Sequence, residues 1–111
     1  MNILALGFNS LSGTIPTEVG LLTHLLMLDL SVNKLLGTIP TEIGALTSLS
    51  HLGLGVNDLS GMIPSEFQAL TDLTSFVCFD NSLTGEYTCP DYITDCQISC
   101  QDGYNDTCRS L

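Results

Sequence analysis

Basic residues are almost missing from this chain. Its 111 residues hold two cations, Lys34 and Arg109, against 12 acids, for a formal net charge of −10. Phosphate backbones and anionic membrane surfaces are gripped by clustered cations, so the composition argues against nucleic acid or a charged lipid surface as partner. Tryptophan is absent and aromatics make up 6% of the residues, while 44% are hydrophobic. The core must therefore be aliphatic, and leucine dominates it. No apolar run reaches the roughly 20 residues that a membrane helix needs, which argues against direct membrane insertion. The opening "MNILALGF" lacks the charged start of a secretory leader. Glycine-rich phosphate loops are also missing.

What is present is a repeat. Asn9, Asn33, Asn57 and Asn81 recur at one constant interval, and Gly13, Gly37, Gly61 and Gly85 recur at the same one. Leu4, Leu28, Leu52 and Phe76 form another column, and Leu6, Leu30, Leu54 and Cys78 the next. Ile15-Pro16, Ile39-Pro40 and Ile63-Pro64 keep the same phase. Copies in one phase over this length indicate one supersecondary unit stacked on itself. Leu28-x-Leu30 has the alternation of a strand with one buried face. The phase overrules a helical reading of "GLLTHLLMLDL", since its leucines fall in register with those of the other coils. An asparagine at each corner can bond backbone groups left unpaired by the turn, and stacked copies would form a ladder. Thr17-Glu18, Thr41-Glu42 and Ser65-Glu66 fit the caps of short helical turns better than catalytic acids.

The columns read Leu-x-x-Leu-x-Leu-x-x-Asn-x-Leu-x-Gly-x-Ile-Pro, which resembles the leucine-rich repeat family and, through Gly-x-Ile-Pro, its plant-type subfamily. The resemblance covers residues 1 to about 86. It implies an α/β solenoid, right-handed, with a parallel sheet on the concave side and short 3-10 turns and loops on the convex side. Residues 1–86 are then the solenoid, of about four coils with the first incomplete, and residues 87–111 resemble the Cys-rich caps that close plant-type extracellular repeats. The family usually binds on its concave face. The outward candidates there are Phe8, Met27, Asp29, Val32, His51, Val56, Val77 and Phe79. Phe8, Val32 and Val56 form an apolar column at one edge, read either as corner packing or as a shallow contact stripe.

Cys89, Cys96, Cys100 and Cys108 crowd the last third, at gaps that do not suit zinc. They suggest disulfides and an oxidising compartment. Four cysteines allow three pairings; Cys89 with Cys96 and Cys100 with Cys108 is the preferred one. Cys78 fits a buried small hydrophobe ahead of a bridge to Cys100. Ile98-Ser99-Cys100 is the expected final inward strand. Asn105 opens an Asn-Asp-Thr glycosylation triplet, and it also lies one further repeat interval beyond Asn81. Cap cysteines without a leader imply the C-terminal part of a longer extracellular or cell-surface protein.

The two histidines, His24 and His51, have no Ser or Cys partner at a recognisable spacing, so no nucleophile, base and orienting group can be assembled. No cofactor or metal is expected. The expected function is non-enzymatic recognition of a protein or peptide ligand, or of a co-receptor, as part of a receptor-like protein. Four strands at about 4.8 Å span roughly 15–20 Å, and a stable interface of about 800 Å² per partner would take most of one face. The alternatives are a secreted inhibitor of a cell-wall-degrading enzyme and an ice-binding surface built on Thr23, Thr47 and Thr71.

Overall fold

A computed structural model describes residues 2–85 and 87–98. Each 24-residue period becomes one coil of a solenoid. Its first leg is a strand: β1 (Ile3–Ala5), β3 (Met27–Asp29), β5 (His51–Gly53) and β7 (Ser75–Val77). These stack in parallel with β9 (Asp95–Gln97) in the order β1-β3-β5-β7-β9. Repeat-equivalent residues are paired, as in Leu4 with Leu28, Leu28 with Leu52 and Leu52 with Phe76. The inward leucines meet in one spine, with Leu25, Leu28, Leu49, Leu52, Leu54, Leu73 and Phe76 all at 1% exposure or less. Burial of one such side chain is worth about 1.5–3 kcal/mol, so the spine is the main source of stability.

The second leg is also a strand, where the sequence pattern implies a loop. β2 (Ser12–Thr14), β4 (Lys34–Thr38), β6 (Asp58–Gly61) and β8 (Ser82–Leu83) form a second parallel sheet in that order. Its pairing is sheared: Ser12 meets Lys34 rather than its repeat equivalent Leu36, and Leu36 meets Asp58 rather than Ser60. Gly37 has φ +82°, a conformation that only glycine adopts freely. A Cβ on Gly37 would also stand 3.0 Å from the Thr14 methyl, so the threonine of one coil covers the glycine of the next.

The third leg is a 3-10 helix: Thr17–Leu21, Thr41–Ala45 and Ser65–Ala69. Among the described residues there is no α-helix. The expected side-chain caps do not form. The N-cap positions are Pro16, Pro40 and Pro64, which have no side-chain bond to offer, and the Thr17, Thr41 and Ser65 hydroxyls turn to the neighbouring glutamates. Glu18, Glu42 and Glu66 do lie in the first turn, at the positive end of the peptide dipoles. The helices stack closely. A Cβ on Gly20 would come 2.7 Å from the Glu42 carbonyl, and one on Gly44 equally close to that of Glu66. Gln68 takes the equivalent place in the third helix.

The last turn among the described residues is shorter. β9 pairs Phe76 with Cys96, where a full period would run on to position 100. Ile93, Cys96 and Ile98 are buried on the spine and continue the columns of Leu73, Phe76 and Cys78. The strand that pairs with β7 is therefore 95–97, earlier than the expected 98–100, of which Ser99 and Cys100 lie outside the described residues. Cys96 bonds to Cys89, and Cys78 is free and buried, both as the sequence suggests. Cys100, Cys108 and Asn105 lie outside the described residues. Phe76 makes edge contacts with Phe67 and Tyr87, at centroid distances of 5.7 and 5.8 Å, and the Tyr87 ring closes the spine.

The corner asparagines form the expected ladder. Asn57 Nδ2 donates to Leu54 O and Gly55 O in its own coil and to Leu30 O in the coil before, and its Oδ1 accepts from Leu35 N–H at 3.0 Å. Asn33 and Asn81 repeat the pattern. Asn9 is exposed, and among the described residues its side chain bonds only Leu6 O and Gly7 O, both within its own coil, while its backbone N–H donates to Val32 O. A second ladder, with no signature in the sequence, runs along the strand entrances. There Ser50 Oγ donates to Leu26 O, Thr74 Oγ1 to Ser50 O and Thr94 Oγ1 to Thr74 O. Replacing Asn57 with Ala strands a buried N–H and several carbonyls, so it should cost about 2–4 kcal/mol, against under about 1 kcal/mol for Asn9→Ala. Equal losses in urea unfolding would show that the ladder does not link the coils.

Candidate functional site

The concave sheet presents its side chains in columns. Ile3, Met27, His51, Ser75 and Asp95 form the first, and Ala5, Asp29, Gly53, Val77 and Gln97 the second. Met27, Asp29, His51 and Val77 thus stand on the strands as expected. Phe8, Val32, Val56 and Phe79 lie past the strand ends. The backbone pairing nonetheless continues there, with Val32 N–H donating to Gly55 O and Val56 N–H to Phe79 O.

At those corners the backbone is left-handed. Phe8, Val32 and Val56 have φ of 57°, and Asp80 has φ of 55°. Aspartate accepts that conformation with little strain, whereas valine does so at a real cost. Phe8 is 81% exposed and Val56 36%. The Phe79 ring lies beside Gly55, where a Cβ would meet Cε1 at 3.6 Å. An apolar ridge therefore runs along the solenoid from Phe8 through Val32 and Val56 to Phe79, and three of its members hold strained backbone.

Beside the ridge is a depression of about 220 Å³, floored by Gly53 and walled by Met27, Asp29, His51, Ser75 and Val77. His51 Nδ1 shares a hydrogen bond with Ser50 Oγ at 2.8 Å, and Ser50 is itself tied to Leu26 O. Asp29 Oδ1 accepts from the N–H and hydroxyl of Ser31. Asp95 Oδ2 accepts from Ser75 Oγ and its Oδ1 from Gln97 Nε2. No three His, Cys, Asp or Glu side chains converge on one point among the described residues. Burial pushes the Cys78 thiol well above its usual range, so it holds its proton. Burial, with Tyr92 and Cys78 adding to it, likewise raises the Tyr87 hydroxyl to about 12. No helix among the described residues is long and apolar enough to cross a membrane.

The family model for the leucine rich repeat matches residues 24–46. The BIR2 ectodomain from Arabidopsis thaliana superposes with a TM-score of 0.76 at 41% identity, over 82% of this chain and 47% of that one. This is a leucine-rich repeat protein of the plant type. The repeat protein is similar as well to the ectodomain of the Arabidopsis thaliana receptor kinase GASSHO1/SCHENGEN3, solved in complex with CASPARIAN STRIP INTEGRITY FACTOR 2. There the TM-score is 0.75 and the identity 37%, over 80% of this chain and 10% of that one. A plant ice-binding protein aligns with a TM-score of 0.74 at 34% identity, over 83% of this chain and 29% of that one. The repeat protein thus spans less than half the length of each of these structures. No curated protein sequence matches it significantly.

The corner strain in the repeat protein can be measured. Val56→Asn places a residue tolerant of the left-handed region at an exposed corner, and should stabilise the fold by about 1 kcal/mol. That corresponds to a rise of roughly 4–8 °C in the thermal midpoint. A drop in the midpoint would show that valine packing outweighs the strain.

Proposed function

We propose that this chain is a non-enzymatic recognition module that binds a protein or peptide, or a co-receptor, on its concave face. Residues 1–86 supply that face, and the disulfide-bonded cap belongs to residues 87–111. The observation that carries the reading is the apolar ridge of Phe8, Val32, Val56 and Phe79 beside the Gly53 depression. Strain that a fold does not need is kept where the side chain is used. The likeness to a receptor kinase ectodomain in complex with CASPARIAN STRIP INTEGRITY FACTOR 2 supports a peptide or protein as ligand. The Cys89–Cys96 bond and the likeness to ectodomains support an extracellular or cell-surface location. Glycosylation at Asn105 fits the same location.

A random peptide library displayed on phage and panned on the full chain tests the reading. Recovered peptides should lose most of their binding to Val77→Trp, which fills the concave face, and keep it on Gln68→Trp, which lies on the third 3-10 helix. Equal binding to both variants, or no enrichment, would refute it.

A second reading, an ice-binding surface, has one observation in its favour. Thr23, Thr47 and Thr71 are all exposed, one per coil, at the turn that follows each helix. The plant ice-binding neighbour shares this fold. The companion column of Thr14 and Thr38 is broken by Met62. Thermal hysteresis decides the matter: a clear freezing-point gap abolished by Thr47→Lys supports ice binding, and none at millimolar protein removes it.

A further inference from the structure

We infer that the Gly53 depression is a subsite for a cationic side chain, lysine or arginine, on an extended peptide laid along the concave face, with Asp29 as its anchor. The inference rests on the concave-face reading and adds the chemistry of the ligand.

Three observations carry it. The Asp29 carboxylate stands between two glycines, Gly7 and Gly53. A Cβ on Gly53 would come 2.8 Å from its Oδ1, and one on Gly7 3.2 Å from its Oδ2, so both neighbouring coils leave the carboxylate open. Ser31 fixes its orientation through Oδ1, while Oδ2 takes no hydrogen bond among the described residues. The carboxylate is therefore preorganised and still able to accept. Asp95, on the same face, has both oxygens engaged by Ser75 and Gln97, which singles out Asp29.

The walls suit the stem of such a side chain. Met27, His51 and Val77 line the depression around Gly53, and lysine and arginine lay their methylenes on apolar surface while the charged head reaches a polar partner. The charge pattern agrees. The chain carries −10 overall, and among the described residues its one Lys or Arg, Lys34, stands on the second sheet and not on the concave one. Among the described residues no Lys or Arg on this face competes for Asp29. An anionic ligand would meet uncompensated carboxylates instead.

Blocked tripeptides Ac-Ala-Lys-Ala-NH2 and the same peptide with norleucine in place of lysine provide the test. Each is titrated at millimolar concentration into the 15N-labelled full chain. The lysine peptide should move the amide signals of Asp29, Gly53 and Val77, with binding roughly tenfold weaker in Asp29→Asn. That variant keeps the acceptor for Ser31, so its spectrum should remain that of a folded protein. Asp58→Asn, a loss of the same charge on the second sheet, should leave binding unchanged. Equal shifts from the norleucine peptide would mean an apolar occupant and overturn the cation subsite. So would an unaltered affinity in Asp29→Asn, a matching loss in Asp58→Asn, or no shift at these amides. The concave-face reading is judged separately: library peptides sensitive to Val77→Trp but indifferent to Asp29→Asn would uphold the face and reject the anchor.

Discussion

The register of every coil in this molecule depends on hydrogen bonds to the next. A three-residue strand has no stability of its own, and a 3-10 turn of five residues has little more. The strands are held because their backbone groups pair with a strand one turn away, and the 3-10 helices, whose backbone bonds close within their own coil, are held by close packing on the next helix. The corner asparagine makes that dependence strict. Its amide serves two coils at once and is nearly buried at Asn57, so a misaligned coil would strand polar groups among leucines. The leucine spine supplies the driving force, and the asparagine supplies the register.

That register also sets where function can reside. Inward positions are committed to the spine and corners to the ladder, while the second sheet is tied by threonine methyls over glycines. The outward columns of the concave sheet are free of these duties. They vary as free positions do: Met27, His51 and Ser75 occupy one column, and Asp29, Gly53 and Val77 the next. The left-handed corners are intermediate. Geometry demands a positive φ there and asparagine, aspartate or glycine would meet it easily, yet phenylalanine and valine occupy three of the four.

Much of the fold was legible because stacking forces equivalent residues into equivalent surroundings. The columns of Asn9, Leu28 and Gly37 are visible as spacing alone, and the structure places them as spacing demands. The second sheet was not legible. Ser12 pairs with Lys34 and not with its repeat equivalent Leu36, so the shear hides the sheet from a search at the repeat period. The shortened last coil escaped for a similar reason, since its smaller step moves Ile93, Cys96 and Ile98 out of phase with the leucines they continue. Thr41 reads as a cap because Thr-Glu before an apolar residue is a general helix start, whereas Pro40 holds that place here. In the site, strand alternation sorted outward residues from inward ones. What it could not show was that Gly7 and Gly53 clear space around Asp29, because an empty position leaves no mark in a pattern of side chains.

The contrast between Gly20, Gly44 and Gln68 bears on how such an array lengthens. Glycine stands in the two helices that have another 3-10 helix packed directly over them, and glutamine in the third, which faces a groove with Tyr87 and Pro90. A duplicated period inserted ahead of Gln68 would find a seat ready for it. One appended behind it would collide with the glutamine side chain unless that codon changed first. Growth by gene duplication is therefore directional in this scaffold, open in the interior and latched at a single position.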